Sequence, residues 1–172
     1  MATPAIFEIL RDASKQTTDG KKADFLRKVG DNFAIKSILQ GCFNPAVKFL
    51  LPAGAPPYQE ADPTMVETRL YSMSKRFNMF VENGRAVASQ TKREVLFIEL
   101  LESIHPEDAK VVLKMVSKQD PWEGITHAVA HKAFPDHVPA PEAVIEEPVA
   151  EEAPVKTTKA RAKAKPRSKK SA

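Results

Sequence analysis

One cysteine among 172 residues, Cys42, has no partner for an internal disulfide, and nothing in the pattern around it indicates secretion. Its place on an apolar helical face marks it as a small core residue. No apolar stretch approaches the roughly 18–20 residues that span a bilayer, and the first residues lack the basic start and apolar run of a signal peptide. These absences predict a soluble, intracellular protein with no membrane partner. Alternating runs of β-branched residues are missing, so no strand is predicted. Also missing are a nucleophile–base pair, a metal-ligating cluster and a Gly-rich phosphate loop. No catalytic residue, metal or cofactor is therefore expected.

What the chain does contain is a series of short helix signals. Thr3-Pro4 sets a capping residue before a proline at a first helical position, and Ile6, Phe7, Ile9 and Leu10 follow as a stripe to about Lys15. Gly20 opens a second helix, with Phe25, Leu26 and Val29 on one face, and Gly30 closes it. Phe33, Ile35, Ile38, Leu39, Cys42 and Phe43 supply a third. Asn44-Pro45 repeats the cap-plus-proline signal and predicts a short helix through Val47, Phe49, Leu50 and Leu51. Prolines 52, 56 and 57 with Gly54 mark a loop over 52–62. Asp62-Pro63 starts a helix with Met65, Val66, Leu70 and Met73 inward, extended by Phe77, Phe80 and Val81 to a turn at Asn83-Gly84. A helix from Thr91 to Ile104 carries Leu96, Phe97, Leu100 and Leu101. His105-Pro106 starts the next, where Ala109, Val112, Leu113 and Val116 keep helical spacing, and the last runs from about Gly124 to Ala133. Each helix is short and amphipathic and needs the others to bury its apolar face. The expected fold is all-α, a compact multi-helix domain over 1–135.

Charge divides the chain differently. Residues 1–135 hold 18 Lys+Arg against 16 Asp+Glu, a net of +2. Residues 136–155 hold six acidic residues and no Lys or Arg, a net of −6, and 156–172 hold eight basic residues and no acid, a net of +8. Six prolines between 135 and 166, with no aromatic after 135, give the end of the chain too little apolar surface to offset ordering entropy. An acidic Pro-rich linker over 136–155 and a disordered basic tail over 156–172 are predicted. A cationic end of this kind meets a polyanion, nucleic acid being the commonest.

Two segments resemble the N-terminal DNA-binding domain of ATP-dependent DNA ligases of the T-even phage type. Gly20-Lys21-Lys22-Ala23-Asp24-Phe25-Leu26-Arg27-Lys28 is similar to that family's early Lys-rich helix. Asp108 to Pro135 can be laid on the phage ligase without a gap. It includes Val112-Leu113-Lys114-Met115-Val116, Asp120, Gly124 and a closing Lys132-Ala133-Phe134-Pro135. The resemblance covers about 5–135. It implies a helical domain that cups duplex DNA by its sugar-phosphate backbone, in a small standalone phage protein. Partners would be duplex DNA and phage or host replication or packaging proteins, in the infected cell's cytoplasm or the virion. Glu123 stands where the family has Cys, and Gln119 where it has Arg, which reduces positive charge there. The Lys-x-Asp-Gly motif of ligase catalysis is absent: Asp19-Gly20 is preceded by Thr17 at the lysine's place. The chain thus reads as non-catalytic.

The clearest nucleic-acid-binding candidates are Lys156, Lys159, Arg161, Lys163, Lys165, Arg167, Lys169 and Lys170, interleaved with Ala and Pro. They would neutralise phosphates without reading bases; a solubilising or address tail is the competing reading. In the domain, Lys110, Lys114 and Lys118 fall at i, i+4, i+8, and Lys75-Arg76 and Lys92-Arg93 are adjacent pairs. A charged stripe is usually only a solvated face; the resemblance singles out Lys21, Lys22 and Lys114 for DNA. His127 and His131, four apart, read as surface or satisfied histidines and not as metal ligands. Trp122 reads as packing, and Glu107-Asp108 as charges complementing a helix dipole. A reuse of the ligase-like fold for protein interaction, with DNA held only by the tail, is the alternative function. The acidic stretch from Glu142 to Glu152 is either an internal phosphate mimic competing for the basic end or a charged spacer. If it is a mimic, deleting 140–153 tightens DNA binding at low salt in a fluorescence anisotropy titration; unchanged affinity leaves the spacer.

Overall fold

Side-chain caps decide where the helices begin. In the computed structural model, which describes residues 4–52, 54–66, 69–82, 84 and 89–141, Thr18 accepts from the Lys21 amide, Asn32 from Ile35 at 2.9 Å and Ser89 from Lys92 at 3.2 Å. His105 Nδ1 accepts from the Glu107 amide at 3.1 Å, ahead of Pro106 in the first turn. Each cap satisfies one of the amides a helix leaves unpaired at its start. The helices are α1 (Ile6–Ser14), α2 (Asp19–Val29), α3 (Phe33–Phe43), α4 (Arg69–Met73), α5 (Gln90–Glu102), α6 (Pro106–Val116) and α7 (His127–Ala133). Two 3-10 segments, Pro63–Met65 and Ser74–Met79, flank α4. The described residues contain no strand, only an isolated antiparallel bridge between Phe49 and Val81. The fold is all-α, as expected.

α3 sits at the centre, packing against α6, α4, α7 and the 3-10 segment Ser74–Met79, while α2 packs on α1 and α7. Ile35, Ile38 and Leu39 of α3 are fully buried, and so are Leu70, Leu100, Leu101 and Val112 from neighbouring elements. Each such side chain contributes about 1.5–3 kcal/mol by leaving water. Gly41 permits the close approach of α3 and α6: a Cβ there would lie 2.5 Å from Met115 Cγ and 3.2 Å from Phe49 Cζ. Cys42 is buried as expected, and burial pushes its thiol up to about 12.

Three expectations about the fold fail. No helix follows Asn44-Pro45. The Asn44 amide is held by Gln40 as the end of α3, and its side chain turns back to the Ala46 amide at 2.9 Å. The chain beyond then runs extended, with Leu50 N–H donating to Phe80 O at 2.7 Å and Glu82 N–H to Lys48 O at 2.8 Å. Asp62-Pro63 starts only a 3-10 turn, and Met65 is 79% exposed, not inward. The body also continues past Pro135: Val138 is fully buried, and His131 Nδ1 and His127 Nε2 bond the carbonyls of Val138 and Pro139 at 2.8 and 2.9 Å. Those bonds give the histidine pair its role. Thr3 and Asn83, named as cap and turn, lie outside the described residues, as does the chain from 142 onward.

Asp108 does more than complement its own helix. It is fully buried in the first turn of α6, and its Oδ1 accepts the Phe7 amide of α1 at 2.8 Å. Glu8 takes the neighbouring Ala5 amide at 3.0 Å, so two acids from different helices close the start of α1. Asp108 Oδ2 is buried with no hydrogen-bond partner. Burial drives this carboxyl from its ordinary 3.8 up to about 7, against the Phe7 amide, with Glu8 and Glu107 adding repulsion. A carboxyl raised in the folded state stabilises fully below its unfolded value and loses that contribution as pH rises through the folded one. Asp108→Asn keeps the acceptor for Phe7 and removes the charge. In urea unfolding, the native protein should lose on the order of 2–4 kcal/mol relative to Asp108→Asn between pH 4 and pH 8; parallel pH profiles would contradict this.

Candidate nucleic-acid interface

Helix C-termini present unpaired carbonyls and partial negative charge, which attract cations. In this fold several basic side chains are engaged there. The Arg27 guanidinium donates to the carbonyls of Lys132 and Ala133 at the end of α7, with Nε 3.2 Å from Ala133 O, and pairs with Asp24 at 3.1 Å. Lys118 Nζ donates to Gly41 O at 2.6 Å and Asn44 O at 2.9 Å at the end of α3, and lies over the Phe49 ring. Arg93 donates to Met79 O at 3.3 Å, at the end of the second 3-10 segment. Partial burial pulls the Lys118 ammonium below its ordinary pKa. Its backbone sits at φ 56, a left-handed conformation unusual for a side-chain-bearing residue, which the two carbonyl bonds hold in place.

The domain lysines singled out from sequence therefore divide. Lys22 is largely buried: Nζ donates to Gly124 O at 3.0 Å and lies 3.7 Å from Asp19. Gly124, at φ +77, is where this approach occurs; a Cβ there would be 3.1 Å from Lys22 Nζ. Lys22 joins α2 to the turn before α7 and is a structural residue. Lys114 lies over the Trp122 ring, 5.9 Å from its centroid, with Trp122 packed on the core. Lys21 is exposed. The stripe of Lys110, Lys114 and Lys118 does not form, because α6 ends at Val116 and the chain turns Lys118 back toward α3. Lys110 instead pairs with Glu107 at 2.6 Å. Lys156, Lys159, Arg161, Lys163, Lys165, Arg167, Lys169 and Lys170 lie outside the described residues.

Other ion pairs take up further cations: Lys15 with Asp12, Lys36 with Asp31, Arg11 with Glu8, and Lys48 with Glu82. Lys21, Lys28, Lys75, Arg76, Lys92 and Lys132 form no ion pair among the described residues. Lys75 and Arg76 stand on the 3-10 segment Ser74–Met79 beside two surface recesses. One, of about 400 Å³, includes Phe33, which is 61% exposed. Sequence periodicity assigned Phe33 to the apolar set of α3. Two positions before Ile35 is about 200° around the helix, so Phe33 falls nearly opposite the buried stripe. That angle was the available signal. No group of three metal-ligating side chains occurs among the described residues, and no helix there is long and apolar enough to cross a membrane.

Lys118→Met keeps an apolar stem beside Phe49 and loses both carbonyl bonds. The expected cost is on the order of 1 kcal/mol, allowing for solvent screening, with nucleic-acid affinity unchanged. Thermal unfolding and anisotropy read the two arms; a stable variant with weakened binding would reassign Lys118 to ligand contact.

No curated protein and no solved structure matches the chain. A family model matches residues 9–120, from within α1 to the loop after α6, which is more than half of the sequence. The chain accordingly belongs to the family of unknown function DUF6433.

Proposed function

We propose that this chain is a non-catalytic nucleic-acid-binding protein that contacts the phosphate backbone without reading sequence, through its basic end and a smaller set of cations on the helical body. The observation that carries this reading is the segregation of charge: eight Lys and Arg within 156–172, with no acid among them. Such a segment gains affinity by releasing counterions condensed on a polyphosphate. The body supports it with Lys21, Lys28, Lys75, Arg76, Lys92 and Lys132, none of them in an ion pair among the described residues. The ligase-like motifs favour duplex DNA as the polyanion and a standalone phage accessory protein as the setting.

A second reading, a protein-interaction body with nucleic acid held only by the basic end, is favoured by one specific observation. Lys22, Arg27, Arg93 and Lys118 all donate to backbone carbonyls, bonds that compete with contact to phosphate.

Two measurements separate these readings. For the full chain on duplex DNA, log K should fall with log salt at about 0.9 per phosphate neutralised, hence a slope of several units; a slope near zero overturns the phosphate reading. With the eight basic residues of 156–172 all changed to Gln, affinity should drop by orders of magnitude. Residual salt-dependent binding then belongs to the body, and its complete loss favours the second reading.

A further inference from the structure

The 3-10 segment Ser74–Met79 separates two recesses, and Lys75 and Asn78 line both. The first, about 400 Å³, lies between α3 and the extended segment at Phe49. Its walls include Phe33, Phe49 and Phe77, with Gln40, Asn78 and Lys75 as polar groups. The second, about 670 Å³, brings Arg76 beside Lys75, with Glu99 as the one acidic group on its wall and outside ion-pair distance of both. Phe33 is 61% exposed, and no other aromatic among the described residues reaches the exposed class. Among the described residues, neither Lys75 nor Arg76 has a carboxylate within ion-pair distance.

We infer that these recesses take an unpaired nucleotide of a single strand, its base against Phe33 in the smaller recess and its phosphate at Lys75 and Arg76. The inference rests on the nucleic-acid reading above and specifies a strand preference that backbone contact alone does not supply. Its components are those of single-strand binding: an aromatic face on which a base stacks, beside cations that follow the backbone. The volume falls within the range of small-ligand pockets. The amides of Gln40 and Asn78 on the wall of the smaller recess match base edges, which carry both donors and acceptors. Bases of an intact duplex are already stacked and paired, so only an unpaired one can present its face here.

The test uses the full chain against a short oligothymidylate strand and a duplex of equal length, at low and moderate salt. Phe33→Leu keeps an apolar side chain without a ring, and Phe33→Tyr keeps the ring. Expected results are a loss of roughly fivefold or more for Phe33→Leu on the single strand only, near-native binding by Phe33→Tyr, and a single-strand salt slope reduced by about 0.7 in Lys75→Gln. Equal binding of the single strand by Phe33→Leu and the native protein overturns the site while leaving phosphate contact by the basic end intact. Equal losses on single strand and duplex also overturn it. So does a concentration-dependent self-association abolished by Phe33→Leu, which would assign the recess to a second copy. Failure of the native chain to bind either nucleic acid at low salt removes both readings together.

Discussion

A fold made of helices this short has to satisfy many helix ends. Every α-helix leaves about four amides and four carbonyls without internal partners, and in segments of 5 to 13 residues those ends are a large share of the backbone. Side chains close them. Thr18, Asn32, Ser89 and His105 take amides from within their own elements, and Asp108 takes one from another helix. Arg27, Arg93 and Lys118 occupy carbonyls. The arrangement of polar residues in the body follows from this requirement before any ligand is considered.

Charge and function are connected through the same requirement. A basic residue whose nitrogens are bound to helix-end carbonyls at 2.6–3.2 Å has fewer donors left for a phosphate. Of the 18 basic residues up to position 135, Lys22, Arg27, Arg93 and Lys118 donate to backbone carbonyls, while Lys21, Lys28, Lys75, Arg76, Lys92 and Lys132 form no ion pair among the described residues. In the proposed function, long-range attraction accordingly falls to the basic block at 156–172 and the recesses to the body.

Most of the fold was legible because its strongest signals are local. Leu100, Leu101, Ile104, Ala109 and Val112 keep helical spacing and are all fully buried, and His105-Pro106 marks the break between α5 and α6. Asn44-Pro45 carries the same local signal and means something else, because the partner that holds 48–50 extended lies at 80–82, far along the chain. The carbonyl bonds of Lys22 and Lys118 were not legible for a related reason. Their acceptors, Gly124 and Gly41, are distant in sequence, and a lysine bound to a carbonyl looks the same in a sequence as one bound to solvent. Phe33 was legible only by its angle around α3. That its recess is completed by Lys75 and Asn78 depends on the packing of α3 against the 3-10 segment, which periodicity does not encode.

The bond from Phe7 to Asp108 also bears on the order in which this chain assembles. Its donor and acceptor are 101 positions apart, and the contacts of α2 through Lys22 and Arg27 reach across 102 and 106 positions. The first two helices of the body are thus completed by residues synthesised long after them. Closing loops of that length costs entropy before any contact offsets it. Until α6 and α7 have been synthesised, α1 and α2 have each other to pack on but lack the faces that α6 and α7 supply and several of their polar partners, so the amino-terminal part of the body is completed only by its carboxy-terminal part.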